Sequence, residues 1–192
     1  MKFFVDTANI EDIEKLIPTG FVDGVTTNPS LIAKQGADMA ETIKNICSIV
    51  NGPVSAEVTA TEFTKMLEEG EYLASLAKNV AVKVPLTVDG LKTCKSLREK
   101  GIMVNVTLCF SAAQALLAAK AGASFISPFV GRLDDIGEKG MDLIEDIVIM
   151  YENYAFETEV LVASIRTKQH VIDSAVIGAH VATLPPKVIY EL

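Results

Sequence analysis

Val80-Ala81-Val82-Lys83-Val84-Pro85 is an apolar run interrupted by one lysine, and it reads as a short, fully buried strand. Outward from it in both directions, short β-branched runs alternate with longer amphipathic stretches, the pattern of βα units closing on a parallel sheet. The strands expected are Lys2 to Asp6, Gly24 to Asn28, Val54 to Val58, Val80 to Pro85, Ile102 to Leu108, Phe125 to Val130, Glu159 to Arg166 and His180 to Leu184. Helical periodicity falls on Ile10 to Ile17, Met39 to Val50, Glu62 to Lys78, Gly90 to Lys100, Ala112 to Ala121, Met141 to Asn153 and Lys168 to Ile177.

Eight such units predict an α/β chain folded as a single (β/α)8 TIM barrel spanning residues 1–192, with no composition break that would mark a linker. The length of 192 residues falls just below the ~200 usually given as the lower end of this fold. The shortfall lies after the eighth strand, where the closing C-terminal helix is missing or reduced to Lys187 to Leu192. The competing architecture is a doubly wound open sheet, which normally carries a glycine-rich turn after its first strand. Asp6-Thr7-Ala8-Asn9 contains no glycine.

Composition narrows the functions. A net charge of −8 argues against a nucleic-acid surface, which needs a basic footprint to displace counterions from phosphates. An anionic small molecule would require a local cluster of Arg or Lys. Three cysteines, Cys47, Cys94 and Cys109, have no metal-ligand spacing and point to a reducing compartment, so a cytoplasmic location is expected. No signal-peptide core opens the chain, and its most apolar stretch, Leu108 to Ile126, is broken by Gln114 and Lys120; no membrane association is expected. His170 and His180 belong to no ligand motif, so neither a metal nor another cofactor is called for.

Burying an ammonium unpaired is costly, yet desolvation favours the neutral amine that attacks a carbonyl to form a Schiff base. Lys83 is therefore a candidate nucleophile. The plain alternative is a lysine whose stem packs on the strand while its head snorkels out or meets a carboxylate. In a barrel, residues of one parity point inward, and sites assemble at the C-terminal strand ends. Those ends carry Asp6, Asn28, Glu57, Lys83, Asn105 with Thr107, Ser127 with Phe129, and Ser164 with Arg166. Val104, Val106 and Leu108 take the opposite parity on the fifth strand. A core built for stability alone would fill the inward positions with Val, Ile and Leu.

Lys83 would condense with a ketone, and the iminium would serve as electron sink for breaking a carbon–carbon bond. Glu57 beside a water held by Thr107 would act as the base. Asp6 would orient hydroxyls or support the charged intermediates, and Asn28 and Asn105 would hydrogen-bond a sugar. For Glu57 and Asp6 the plain alternative is an ion pair with Lys83. Arg132, Ser164 and Arg166 would form a forked phosphate site. A salt bridge from Arg132 to Asp134 or Asp135 is the alternative for that residue.

Val5-Asp6-Thr7-Ala8-Asn9, Gly24-Val25-Thr26-Thr27-Asn28-Pro29-Ser30, Val82-Lys83-Val84-Pro85, Asn105-Val106-Thr107-Leu108, Ser127-Pro128-Phe129-Val130-Gly131-Arg132 and Ala163-Ser164-Ile165-Arg166 resemble the motifs of the transaldolase family in its order. The resemblance is to the small bacterial and archaeal type, together with fructose-6-phosphate aldolase. It covers nearly the whole chain. It implies a (β/α)8 barrel that transfers dihydroxyacetone between sugar phosphates, with Lys83 as the Schiff-base lysine. It further implies that Asp6, Glu57 and Thr107 handle protons and water, that Asn28 and Asn105 contact the dihydroxyacetone part, and that Arg132, Ser164 and Arg166 hold phosphate. The aldolase is similar but carries glutamine at the position of Glu57 and tyrosine at that of Phe129, so both residues here follow the transferase pattern. The family also implies a homo-oligomer, a pentamer or decamer. A non-catalytic barrel that binds sugar phosphate, and another Schiff-base aldolase such as one acting on deoxyribose phosphate, are the remaining alternatives.

Overall fold

The computed structural model describes residues 1–36 and 38–192. Among them, eight parallel strands close into a barrel in sequence order: β1 (Lys2–Asp6), β2 (Val22–Thr26), β3 (Val54–Glu57), β4 (Val80–Pro85), β5 (Met103–Cys109), β6 (Phe125–Pro128), β7 (Glu159–Val162) and β8 (Val181–Leu184). Pairing of β8 with β1, from Lys2↔Val181 to Val5↔Leu184, completes the ring. The helices between them are α1 (Ile10–Leu16), α2 (Pro29–Gln35), α3 (Met39–Ile49), α4 (Phe63–Leu76), α5 (Val88–Glu99), α6 (Ala112–Lys120), α7 (Val130–Asp134), α8 (Gly140–Asn153), α9 (Lys168–Ile177) and α10 (Pro186–Glu191). The expected TIM barrel is the observed fold, and α10, the helix after β8, spans Pro186–Glu191.

Strand alternation sorts the side chains into two cores. Outward-facing Val25, Val54, Val82, Val84, Val106, Ile126 and Val160 pack under the helices with Ile43, Ile46, Leu97 and Ile147. Inside the barrel, Phe4, Ala81, Phe125, Leu161 and Val181 form a second cluster, in which Phe4 and Phe125 meet edge to face at 5.8 Å. Gly24 makes room for it, since a Cβ there would lie 2.6 Å from the Phe4 ring. The next inward layer, one pleat toward the C-terminal ends, is polar. The barrel thus has an apolar floor and a hydrophilic mouth.

Several expected boundaries move, each for a local reason. The second strand ends at Thr26 rather than Asn28, because Asn28 is the N-cap of α2, accepting from the Leu31 N–H at 2.9 Å with Pro29 at the first helical position. The sixth strand stops at Pro128 and passes directly into α7, which the sequence pattern did not reveal. The seventh stops at Val162, and Ser164 turns the chain with φ 59°. Thr87 caps the Gly90 N–H and starts α5 at Val88, two residues earlier than expected.

Candidate active site

At the mouth, β3 and β4 are in register with Glu57 opposite Lys83. Lys83 is 7% exposed, and its Nζ lies 2.9 Å from Glu57 Oε2 and 3.2 Å from the Thr27 carbonyl oxygen. The ammonium is thus buried with a carboxylate partner, which resolves the cost of placing it in an apolar strand. Asp6 makes no ion pair with Lys83. Its Oδ1 instead accepts from Thr26 Oγ1 at 2.7 Å, and Thr26 meets Thr183 Oγ1 at 2.5 Å. Burial raises the Asp6 carboxyl above its ordinary value, while the Thr26 hydrogen bond and the Lys83 charge pull in the opposite direction.

Asn105 is fully buried and fixed at both ends, donating from Nδ2 to Ser55 Oγ at 3.1 Å and accepting at Oδ1 from Ser127 Oγ at 2.7 Å. Thr107 Oγ1 is the buried side-chain polar atom without a partner among the described residues. An unpaired buried hydroxyl costs about 1–3 kcal/mol, so its retention calls for a partner supplied from outside the chain.

These groups surround one cavity of about 250 Å³, lined by Asp6, Thr26, Asn28, Lys83, Asn105, Thr107, Ser127, Phe129, Arg132, Leu161, Ala163, Ser164, Arg166 and Thr183. A second lobe of about 490 Å³ shares Asn28, Lys83, Thr107, Phe129 and Arg132 and adds Glu57, Leu108, Ser30 and Lys34. Every sequence-derived site residue therefore lies at this mouth, although several arrive there by another route than strand parity, among them Phe129 at the start of α7, Arg132 within it and Arg166 beyond the end of β7. Asn28 comes from a helix cap, and Ser164 from a left-handed turn beyond its strand.

Leu108 departs from the expected outward orientation. It has φ 62°, the register between β5 and β6 slips between Thr107 and Cys109, and so both Thr107 and Leu108 line the second lobe. Thr26, Thr183 and Ser55 were missed by the sequence reading. Thr26 pairs with Asp6 in the β1–β2 register, and the alternation that selected Asp6 would have found it.

The two arginines differ. Arg132, in the middle of the short helix α7, stacks over the Phe129 ring at 4.8 Å from its centroid. Arg166 is held by Asp135, which accepts from both terminal nitrogens at 2.8 and 2.6 Å. The carboxylate expected as a partner for Arg132 thus belongs to Arg166. Asp134 pairs with His170 at 3.1 Å, and His170 Nδ1 accepts from the Arg166 N–H at 3.3 Å, so this histidine supports the arginine turn. His180 Nδ1 accepts from the Val160 N–H. Gly131 allows the two turns to touch: its N–H donates to Ser164 O at 3.0 Å, and a Cβ there would lie 2.3 Å from that oxygen.

Fold and site together define a class, a (β/α)8 barrel with a buried lysine–carboxylate pair at its C-terminal mouth and two arginines on the rim. The chain belongs to the transaldolase/fructose-6-phosphate aldolase family, whose model matches residues 3–192. A protein of Ruegeria sp. (strain TM1040) named probable transaldolase is 66% identical over 100% of this chain and 88% of its own length. Probable transaldolases of Erythrobacter litoralis (strain HTCC2594) and Rhodospirillum centenum (strain ATCC 51521 / SW) are each 63% identical over all of this chain, covering 88% and 84% of their own.

Proposed function

We propose that this chain is a transaldolase that moves a dihydroxyacetone unit between sugar phosphates, converting sedoheptulose 7-phosphate and glyceraldehyde 3-phosphate to erythrose 4-phosphate and fructose 6-phosphate. The observation that carries this reading is Lys83 Nζ, buried at the mouth 2.9 Å from Glu57, with Phe129 rather than a hydroxylated ring beside it.

Each group has a role. The ammonium of Lys83 gives its proton to Glu57, the free amine attacks the ketose carbonyl carbon, and Glu57 returns the proton to the departing hydroxyl, so that water leaves, an iminium forms and the carboxylate is free to act again. A water on Thr107 Oγ1 relays to Glu57 the proton of the donor's hydroxyl, the carbon–carbon bond breaks, and its electron pair enters the iminium to give an enamine. The aldose phosphate leaves. The enamine then attacks the acceptor aldehyde, whose oxygen takes the proton back from Glu57. Water finally hydrolyses the new iminium and frees Lys83. Asp6 offers negative charge to the cationic intermediates, Asn28 and Asn105 with Ser127 hold the dihydroxyacetone hydroxyls, and Arg132, Ser164 and Arg166 take the phosphate.

The sister reading is a fructose-6-phosphate aldolase. Glu57 and Phe129 favour the transferase, because an apolar ring leaves the enamine unprotonated long enough for an acceptor to arrive. The same reading carries a cytoplasmic enzyme that works as a homo-oligomer, supported by the exposed apolar Ile149, Ile172 and Val176 on the neighbouring helices α8 and α9. Among the described residues no helix is long and apolar enough to cross a membrane. The test is release of glyceraldehyde 3-phosphate from fructose 6-phosphate with and without erythrose 4-phosphate. Release that requires the acceptor supports the transaldolase; equal release without it, with free dihydroxyacetone, overturns it in favour of the aldolase.

A further inference from the structure

Phe110 lies outside the cavity, yet it touches the residue that separates the two sister activities. It follows β5 directly, and its ring meets Phe129 at 5.8 Å and 60°, while Arg132 covers Phe129 at 4.8 Å from the ring centroid. Phe129 is thereby clasped between an aromatic edge and a guanidinium. The backbone repeats the connection, since the Phe129 N–H donates to Cys109 O at 3.1 Å.

The bulge at Leu108 makes this contact possible. A strand continuing in register would alternate past Thr107, whereas the left-handed turn of Leu108, φ 62°, shifts the pairing so that Cys109 rather than Leu108 faces Pro128. A left-handed leucine costs about 1 kcal/mol or more, and such strain persists where the surroundings fix it. Phe110 is itself anchored, its N–H donating to Gln114 Oε1 at 2.8 Å, and it remains 38% exposed. An aromatic side chain held this way at a rim, rather than dropped into the core, does its packing against Phe129.

We propose that Phe110 is a positioning residue for Phe129, and that the Leu108 bulge and the Phe110 edge together hold the Phe129 ring over the reaction intermediate and so set the ratio of transfer to release. This rests on the transaldolase reading. The enamine is protonated when water reaches it, and the resulting iminium is then hydrolysed to free dihydroxyacetone. A Phe129 ring free to rotate admits that water. Phe110 acts only through Phe129 and touches no reacting atom.

The experiment measures free dihydroxyacetone against transferred product, from fructose 6-phosphate and erythrose 4-phosphate, in the full chain and in Phe110→Ala, Phe110→Leu and Phe110→Tyr. Edge-to-face pairs contribute about 0.5–1.5 kcal/mol, which converts to roughly a twofold to tenfold rise in the release ratio for Phe110→Ala. Phe110→Leu, which keeps apolar bulk without the aromatic edge, rises as well, and Phe110→Tyr keeps the ring and stays at the wild-type ratio. A structural role alone would lower both products together and leave the ratio unmoved. Wild-type transfer with an unchanged ratio in both Ala and Leu variants would overturn the inference and leave the function standing. Acceptor-independent release by the wild type would overturn both, because Phe129 would then protect nothing.

Discussion

Glu57 and Lys83 are cross-strand partners, directly opposite each other on the neighbouring strands β3 and β4, with their side-chain tips 2.9 Å apart. Both point inward by strand alternation, and both are largely buried, at 8% and 17% side-chain exposure for the lysine and glutamate. Removing one member leaves the other as an uncompensated charge in a low-dielectric site, at about 3–5 kcal/mol. We expect Lys83→Met to lose that much and to give no adduct with fructose 6-phosphate and borohydride. The double variant Lys83→Met, Glu57→Leu should recover much of the stability in urea unfolding and still give no adduct. Equal stability of the single and double variants would mean the pair is not coupled.

Thr107→Val replaces an unpaired buried hydroxyl by a methyl of the same shape. Turnover should fall by about 100-fold, with the borohydride adduct still forming. A variant that keeps full activity would show that the hydroxyl does not have the role assigned to it.

Phe129→Tyr introduces a hydroxyl beside the intermediate while retaining the ring that Phe110 and Arg132 clasp. Free dihydroxyacetone should rise at the expense of transfer, read by coupled assay of the two products. Unchanged release would remove Phe129 from the choice between the two activities.

Asp6 makes stability depend on pH. Its carboxyl is raised by burial above the ordinary 3.8, so between that value and the folded one the native state binds more protons than the unfolded chain. Stability from this group is full below the unfolded value and is lost as pH rises through the folded one. Asp6→Asn should therefore gain in melting temperature relative to wild type as pH rises from 4 toward 7, while losing activity. A difference that stays flat or shrinks with pH would reverse the assignment.

Much of the site was legible because alternation along a strand is a local property. Asp6, Glu57, Lys83, Asn105, Thr107 and Ser127 sit where a count of two from their apolar neighbours puts them. The count fails where regular strand ends. Asn28 belongs to a helix cap, Ser164 to a left-handed turn, and Leu108 turns inward at a bulge that no residue type announces, since leucine is an unfavourable choice for positive φ. Thr26 and Thr183 were within reach of the same count and were passed over because threonine in a strand looks ordinary.

Sequence alone determined the number and order of the βα units, the polar residue at most strand ends and the family motifs, because each depends on a few neighbouring positions. Tertiary structure decided which charges meet. Lys83 pairs with Glu57 and not with Asp6, Asp135 takes Arg166 and not Arg132, and Asp6 turns to Thr26 and Thr183. Those choices follow from the stagger between neighbouring strands and from where each loop re-enters the rim. Coulomb attraction and hydrogen bonding fall off within a few ångströms, so partners are fixed only when the closed barrel sets those distances.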